Sequence, residues 1–248
     1  MRTDPIHPGW TVLEDSAGRR LGRFIRSERR AELFTLEADV EPAVNAVRSE
    51  LAGWCVVAGE PFARVLLAGG GRLIRHSHLL SRDLRAQPAT DAAPLPGDLG
   101  LAPADRPTAD LVPAFKAAFP PEHVDGAARV GKDPHEELAY VLERGVAGPL
   151  LPCSRLAVDP GGVVHAAAII TGLEGAPPFG GPWIAECFRD REPRYAGAGR
   201  ALLEHTLLQA TRDGLATVGL AVTHGNRARE LYAELGFREI FTALSVEL

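Results

Sequence analysis

The sequence predicts an α/β protein with a mixed sheet, and three segments in its C-terminal half carry that prediction. Residues 155–171 are typical of a hairpin, since two apolar stretches flank an Asp-Pro-Gly-Gly turn. Residues 183–212 contain a strand, a glycine-rich loop and a helix with an apolar stripe at helical spacing. Residues 217–235 continue with an apolar strand and another helix. Strands that alternate with helices favour a sheet with helices packed on its faces.

Composition excludes several classes of protein. With 248 residues and a hydrophobic content of 46%, the chain can bury a sizeable core. Lys and Arg number 27 against 32 Asp and Glu, which gives a net charge of −5. The sequence has no long basic run that would face a phosphate backbone. We therefore expect no nucleic-acid partner.

The cysteines and the apolar runs bear on where the protein works. Cys55, Cys153 and Cys187 are odd in number and widely spaced, unlike the close pairs of a zinc site or a disulfide framework. The longest apolar runs, such as Val163–Ile170, are too short to span a bilayer, and Met1–Pro8 has no apolar core behind its charge. We expect a soluble, unprocessed, cytoplasmic protein with no membrane partner, and a homodimer stays open.

The first part of the chain, 1–86, alternates strands and helices and echoes the C-terminal part. Gly59–Arg75 matches Gly225–Phe241: a strand ends at a glycine, an arginine-containing helix follows, and a glycine and then an arginine open a last strand. This spacing predicts that 1–86 is a degenerate relative of the C-terminal part. The alternative is coincidence between two common strand-helix patterns.

A linker is predicted at 87–107, because proline, alanine, glycine and aspartate crowd this stretch and disfavour helices and central strands. Residues 108–248 then form a second domain, which opens with helices at Ala109–Phe119 and Pro134–Arg144, the latter capped by Asp133. The later elements are predicted at Arg155–Val158, Val163–Thr171, Trp183–Phe188, Gly199–Arg212, Thr217–Thr223 and Asn226–Leu235, with a stop at Gly236 and an alternating strand pair over Phe237–Leu248.

The glycine-rich loop, Arg194–Gly199, is the segment most suggestive of chemistry. A strand that runs into glycines and then a helix presents unpaired backbone N–H groups at the positive end of a helix dipole, which suits a pyrophosphate. Glycine permits close approach of the phosphate oxygens. A dinucleotide-binding fold uses a similar loop but needs an acid near the end of the next strand. Here that strand ends Thr223-His224-Gly225, without one.

The order of Arg-x-x-Gly-x-Gly, a leucine-rich helix, an apolar strand and Asn226–Phe237 resembles the acetyl-CoA-binding core of the GNAT superfamily of N-acyltransferases. The second motif reads Asn-x-x-Ala-x-x-Leu-Tyr-x-x-x-Gly-Phe, and the resemblance covers 154–248 and extends plausibly to 109. It implies a GNAT fold: a mixed, mainly antiparallel sheet with splayed strands flanked by helices, preceded by a smaller GNAT-like half. The connection 189–193 is slightly longer than usual in the family, which leaves open where the strand stops pairing.

The resemblance also implies a function and a cofactor site. It implies transfer of an acetyl group from acetyl-CoA, as co-substrate and without a metal, to a primary amine on a small molecule or a peptide. In the family, the third strand of this region binds the pantetheine arm and one of its N–H groups stabilises an oxyanion. The implied cofactor-binding residues are Cys187, Phe188, Arg189, Arg194, Tyr195, Ala196, Gly197, Ala198, Gly199, Arg200, Asn226 and Arg229.

Two residues are implied as catalytic, each with a plain structural alternative. Tyr232 fits the family tyrosine that gives a proton to the departing thiolate, but it also lies on an apolar stripe and would serve as a core aromatic. Glu186 is placed to act as general base through water, or it is a carboxylate satisfied by a neighbour at the sheet surface. His224 is a weaker base candidate.

Three further alternatives remain at the level of sequence. His76 and His78 alternate on one strand face, yet we expect a solvated or partner-facing edge rather than a metal site. Cys187 is expected to be an ordinary small apolar residue, since direct transfer needs no acyl-enzyme. The whole protein is either an enzyme or a non-catalytic acyl-CoA-binding regulatory or scaffold module.

Overall fold

The computed structural model describes residues 2–3, 10–37, 39–126, 129–143, 148–178 and 180–248. It confirms the α/β fold class. The chain forms two compact units, Met1–His78 with Phe241–Leu248 (unit 1) and Leu79–Ile240 (unit 2). The sequence-based ranges 1–86, 87–107 and 108–248 stay a prediction about domains.

Unit 1 contains a sheet of strand order β1-β2-β3-β4-β5-β12 with two helices. Its elements are β1 Arg2–Thr3, β2 Trp10–Glu14, β3 Arg20–Ser27, β4 Arg30–Leu36, α1 Val40–Glu50, β5 Cys55–Gly59, α2 Glu60–Ala68 and the first part of β6 Arg72–Asp83. Buried apolar residues of α1, α2 and the strands form one core cluster, which includes Phe24, Val47, Val56 and Phe62.

The C-terminal end of the chain completes unit 1. Residues Ala243–Glu247 pair antiparallel with Cys55–Gly59, so β5 lies between β4 and the last strand, β12 Arg238–Glu247. An ion pair between Arg72 and Glu247 joins the same two parts of the chain. Unit 1 is therefore built from both ends of the sequence.

Unit 2 has the strand order β6-β11-β10-β9-β8-β7. Its elements are the end of β6, β7 Gly100–Pro103, α3 Thr108–Ala118, α4 Pro134–Leu142, β8 Arg155–Val158, β9 Val164–Gly172, β10 Pro182–Arg189, α5 Ala198–Arg212, β11 Thr217–Thr223, α6 Ala228–Glu234 and the start of β12. The pairs β7–β8, β8–β9 and β9–β10 are antiparallel, and β10–β11 is parallel.

Strand β9 is the centre of unit 2 because both of its faces are covered. Ala166, Ala168 and Ile170 belong to the core that contains α5. The alternate residues Ala167 and Ile169 belong to the core that contains α3 and α4. Since successive side chains of a strand point to opposite faces, the helices lie on opposite faces of the sheet.

The two units share an order of elements. The series β2-β3-β4-α1-β5-α2-β6 has the same pattern as β8-β9-β10-α5-β11-α6-β12, with a parallel pair at β4–β5 as at β10–β11. This agrees with the predicted relation between the two halves of the chain. One difference is that β5 pairs with β4 up to Leu33↔Ala58, almost to its end at Gly59.

Most predicted bounds are confirmed, and several expectations need correction. Asp133 caps α4, its carboxylate accepting from the N–H of His135 at 2.9 Å, but the helix ends at Leu142, and Arg144 lies outside the described residues. The strand pair expected over 237–248 is wrong, because this segment forms the single strand β12. The expectation that His78 lies on a solvated strand edge is wrong, because the residues in the middle of β6 are buried.

No helix in the described parts of the chain is long and apolar enough to cross a membrane.

Candidate functional site

Strands β10 and β11 pair at one end only. The registered pairs in the described chain are Trp183↔Gly219 and Ile184↔Leu220, although β10 continues to Arg189 and β11 to Thr223. A β-bulge at Ala185 shifts the register of β10 against β9, and bulges bend a strand and re-aim its side chains. Beyond Ile184, β10 pairs with β9 alone, so alternate backbone N–H and C=O groups face the gap toward β11.

The glycine-rich loop follows this parted end of β10. Pro193–Tyr195 forms a short 3-10 turn, and Gly197 is the N-cap of α5 with φ +91°, a left-handed conformation that favours glycine. The first bond of α5 runs from the N–H of Ala201 to the carbonyl of Gly197 at 3.1 Å. Among the described residues, no hydrogen bond from the N–H groups of 197–200 is found, and no side chain caps the helix.

Space above the glycines is open. A Cβ added at Gly197 would meet nothing within 4 Å, and one at Gly199 would meet only the Arg189 side chain, at an ordinary 3.7 Å. Ala196 and Gly197 are exposed, whereas Ala198 is buried. Four N–H groups at a helix N-terminus thus lie beside glycines whose Cβ positions are uncrowded, which suits an anion.

Three of the four arginines predicted to bind the cofactor pair with protein carboxylates. Arg194 pairs with Glu192 at 2.8 Å, Arg200 with Glu204 at 3.0 Å and also with Glu234, and Arg229 with Glu239 at 2.7 Å. The fourth, Arg189, donates to the backbone carbonyl of Asp190 at 2.6 Å. A phosphate that bound to the first three would compete only with exposed ion pairs, which contribute little stability.

A histidine lies beneath the loop between two carboxylates. His165 on β9 is 8% exposed, and its Nδ1 contacts Asp190 while its Nε2 lies 3.3 Å from Asp159. Its ring packs on that of buried Tyr195, with centroids 4.5 Å apart, and the Tyr195 hydroxyl donates to Asp98 at 3.2 Å. Burial alone would lower the pKa of His165, but the hydrogen bonds to Asp190 and Asp159 outweigh it and raise the pKa.

Only an imidazolium donates from both ring nitrogens, so the stability that His165 contributes depends on pH. A raised folded pKa means that this contribution is complete below the unfolded value of about 6.5 and is lost as pH rises through the folded pKa. We expect His165→Asn to lower the free energy of unfolding by about 1–3 kcal/mol at pH 6, and by less at pH 9. Urea unfolding across this range measures the difference, and a penalty that grows with pH contradicts the assignment.

Tyr232 lies at the parted strands. It projects from α6, is 9% exposed, and its ring packs edge-on against Phe237 at 5.9 Å. Its hydroxyl lies beside the Cys187 thiol on the free part of β10. Burial first, and then the nearby carboxylate of Asp125, raise the pKa of Tyr232, so the phenol keeps its proton at neutral pH.

Cys187 is a thiol rather than a thiolate. Burial, and to a lesser degree the Glu186 carboxylate, raise its pKa to about 12. A thiol with such a pKa is a poor nucleophile at neutral pH, which agrees with the expected role as a small apolar residue.

Asp125 brings a loop to this site. It lies between α3 and α4, and its carboxylate accepts from the Thr223 hydroxyl at the end of β11 and from the Asn226 amide at 2.9 Å. The Asn226 side-chain oxygen in turn accepts from the N–H of Ala228 at the start of α6. Asp125 therefore connects this loop to the segment that positions Tyr232, while the nearby His224 is exposed.

Glu186 faces the opposite side of β10 from Cys187, as alternation requires. Its carboxylate lies 3.6 Å from the guanidinium of Arg129, and its side chain is 16% exposed. Both residues line a cavity of about 540 Å³ with Lys132, Glu137 and Tyr140. The neighbour-satisfied carboxylate and the general base were alternatives, and the ion pair is compatible with either.

No family model matches the sequence, and no curated protein matches it. Solved structures do match. A GCN5-related N-acetyltransferase from Sphaerobacter thermophilus aligns over 97% of this chain and 80% of its own, with 15% identity and a TM-score of 0.62. A tandem GNAT protein from the clavulanic acid biosynthesis pathway aligns over 100% and 85%, with 17% identity and a TM-score of 0.56. A GCN5-related N-acetyltransferase from Kribbella flavida aligns over 91% and 85%, with 16% identity and a TM-score of 0.55.

This chain has the GNAT fold. The parted pair β10–β11, the glycine loop and α6 occur in unit 2 in the order that the sequence motifs predicted. The predicted residues form two groups, one around the loop (Arg189, Arg194–Arg200) and one at the strand gap (Glu186–Phe188, Asn226, Tyr232). Arg229 on α6 pairs with Glu239 of β12. Their roles in binding and catalysis stay predictions.

Sequence reasoning missed three residues of the site. Asp125 lies in the connection between the predicted helices Ala109–Phe119 and Pro134–Arg144, where no local pattern marks it. His165 interrupts an otherwise apolar strand, and that interruption was a usable signal. Arg129 gave no signal, because its importance comes from contacts with α3, α4 and β10 that no local pattern encodes.

Proposed function

We propose that this protein transfers an acetyl group from acetyl-CoA to a primary amine on a small molecule or a peptide. The observation that supports this most is the occurrence together, in unit 2, of parted strands, a glycine loop with free N–H groups, and a tyrosine hydroxyl beside the parted strand β10. The GNAT fold supports the same class of reaction.

The residues fit an acyl-CoA. A pyrophosphate suits the four N–H groups of 197–200, because the space above Gly197 and Gly199 is open. The pantetheine arm suits the free edge of β10 at Cys187–Arg189, where an extended chain can pair with backbone groups. The thioester would supply an activated acyl carbon near Tyr232.

The chain's own groups then divide the work. Glu186, from the cavity side, takes a proton from the incoming ammonium, directly or through water. A free N–H of β10 stabilises negative charge that develops on the carbonyl oxygen. Tyr232 holds a proton on its hydroxyl and gives it to the departing sulfur.

Release of free CoA tests the proposal. Acetyl-CoA is incubated with the protein and a panel containing a polyamine, an amino sugar, an amino acid and a lysine-containing peptide. We expect at least one amine to accelerate thiol release and to yield the N-acetyl product by mass spectrometry. Tight acetyl-CoA binding without amine-dependent release would instead support a non-catalytic acyl-CoA-binding module.

Stoichiometry distinguishes the two units. In unit 1, β5 is paired with β4 almost to its end, and α1 follows β4 without a glycine loop. We therefore expect one acetyl-CoA per chain in isothermal titration calorimetry. A value near two would mean that unit 1 binds it as well.

A further inference from the structure

Arg129 lies where three elements of unit 2, α3, α4 and β10, meet. It belongs to the segment between α3 and α4, and its guanidinium lies 4.5 Å from the ring centroid of Phe115 and 4.4 Å from that of Phe119. It also pairs with Glu137 of α4 at 3.2 Å and with Glu186 of β10 at 3.6 Å. Only 22% of the side chain is exposed.

Two rings and one carboxylate hold the guanidinium independently of Glu186. Cation–π contacts strengthen when the cation is partly desolvated, and a planar guanidinium stacks on aromatic faces as an ammonium does not. Contacts with Phe115, Phe119 and Glu137 therefore fix the position of Arg129, and these contacts do not depend on Glu186.

Several charged groups surround the Glu186 carboxylate. The charged residues on the cavity side are Arg129, Lys132, Asp133, Glu136 and Glu137, and Lys132 lies 3.7 Å from Glu137. On the strand side, Glu186 acts on the neighbouring Cys187 thiol and on the Tyr232 hydroxyl, raising the pKa of each. Within this lining the carboxylates outnumber the cations, and Arg129 is a cation in direct contact with Glu186.

We propose that Arg129 is a positioning residue for Glu186, holding its carboxylate ionised and aimed at the wall of the 540 Å³ cavity from which an amine would arrive. This rests on the proposed function, in which Glu186 is the general base. Arg129 acts through Glu186. Without the cation, the carboxylate faces Glu137 across the cavity and keeps its proton to a higher pH.

The test combines kinetics with a measurement that needs no turnover. The acid limb of kcat/KM is recorded with acetyl-CoA and the fastest amine of the panel for the parent, Arg129→Gln and Arg129→Lys. In CoA-free protein, the ¹³C carboxyl resonance of Glu186, assigned with Glu186→Gln, is titrated in the same variants. Arg129→Gln should move both midpoints upward by roughly 1 pH unit. Arg129→Lys keeps the positive charge but loses the stacking, so its midpoints should lie between those of the parent and of Arg129→Gln.

Lys132→Gln is the matched control, because Lys132 lines the same cavity and pairs with Glu137 of α4. Its Glu186 resonance should titrate within about 0.3 unit of the parent, a shift well below the effect of an opposite charge in direct contact. An Arg129→Gln midpoint equal to that of the parent overturns the proposal. If no amine is acetylated, the proposed function fails instead, and the resonance still reports whether Arg129 governs Glu186.

Discussion

Replacement of Tyr232 by phenylalanine is expected to lower kcat by about 10²- to 10⁴-fold while acetyl-CoA affinity changes little. Phenylalanine keeps the ring and its packing against Phe237 but removes the only proton that Tyr232 can give. That proton is present at neutral pH, because burial and nearby negative charge raise the pKa of the phenol. Steady-state kinetics with the accepted amine measure the loss.

The control for this prediction is Cys187→Ala. It removes the thiol beside the Tyr232 hydroxyl but leaves the phenol proton, so any stability change from the lost contact appears without the catalytic loss. Thermal unfolding of both variants provides the comparison. If Tyr232→Phe turns over within a few-fold of the parent, Tyr232 is a packing residue and water supplies the proton.

Gly197→Asp is expected to weaken acetyl-CoA binding by at least about 100-fold, or roughly 2.7 kcal/mol. The new side chain enters the open space beside the free N–H groups, and its carboxylate repels the phosphates. Calorimetric titration of acetyl-CoA measures the effect.

Gly214→Asp is a matched control at the other end of α5. Gly214 has φ +77° and Gly197 has φ +91°, so an Asp at either position has a similar backbone strain. At both positions a Cβ would have no atom within 4 Å. Only the variant at 197 should lose affinity. Gly199→Ala is a second test, because its Cβ would make only an ordinary contact with Arg189. A loss of affinity in this variant would therefore come from a clash between the methyl group and the bound acetyl-CoA. If all three variants bind acetyl-CoA as tightly as the parent, the glycine loop has a structural role and does not bind the phosphates.

The sequence predicted elements whose signal is local. Strand β11 and the start of α4 lie where the sequence predicted them, because a short continuous apolar run and an Asp N-cap act within a few residues. The glycine loop was found for the same reason, since a left-handed N-cap requires a residue like Gly197.

What the sequence did not predict depends on contacts between distant segments. The Thr223 hydroxyl and Asp125 are 98 residues apart, and neither residue type is unusual at its position. The pairing of Arg129 with Glu186 likewise appears only when α3, α4 and β10 are packed together. The expected strand pair at the C-terminus failed because alternation cannot distinguish two short strands from one long strand.

The β12 residues that close unit 1 are translated long after the strand that they pair with. When β5 leaves the ribosome, its partners Ala243–Glu247 have not been synthesised, and Glu247 follows Arg72 by 175 residues. Until β12 is synthesised, the nascent chain displays an unpaired strand edge of the kind that favours pairing with other chains. Unit 1 therefore begins to be synthesised before unit 2 and completes its folding after unit 2 has been translated, so truncation within β12 would damage the N-terminal unit.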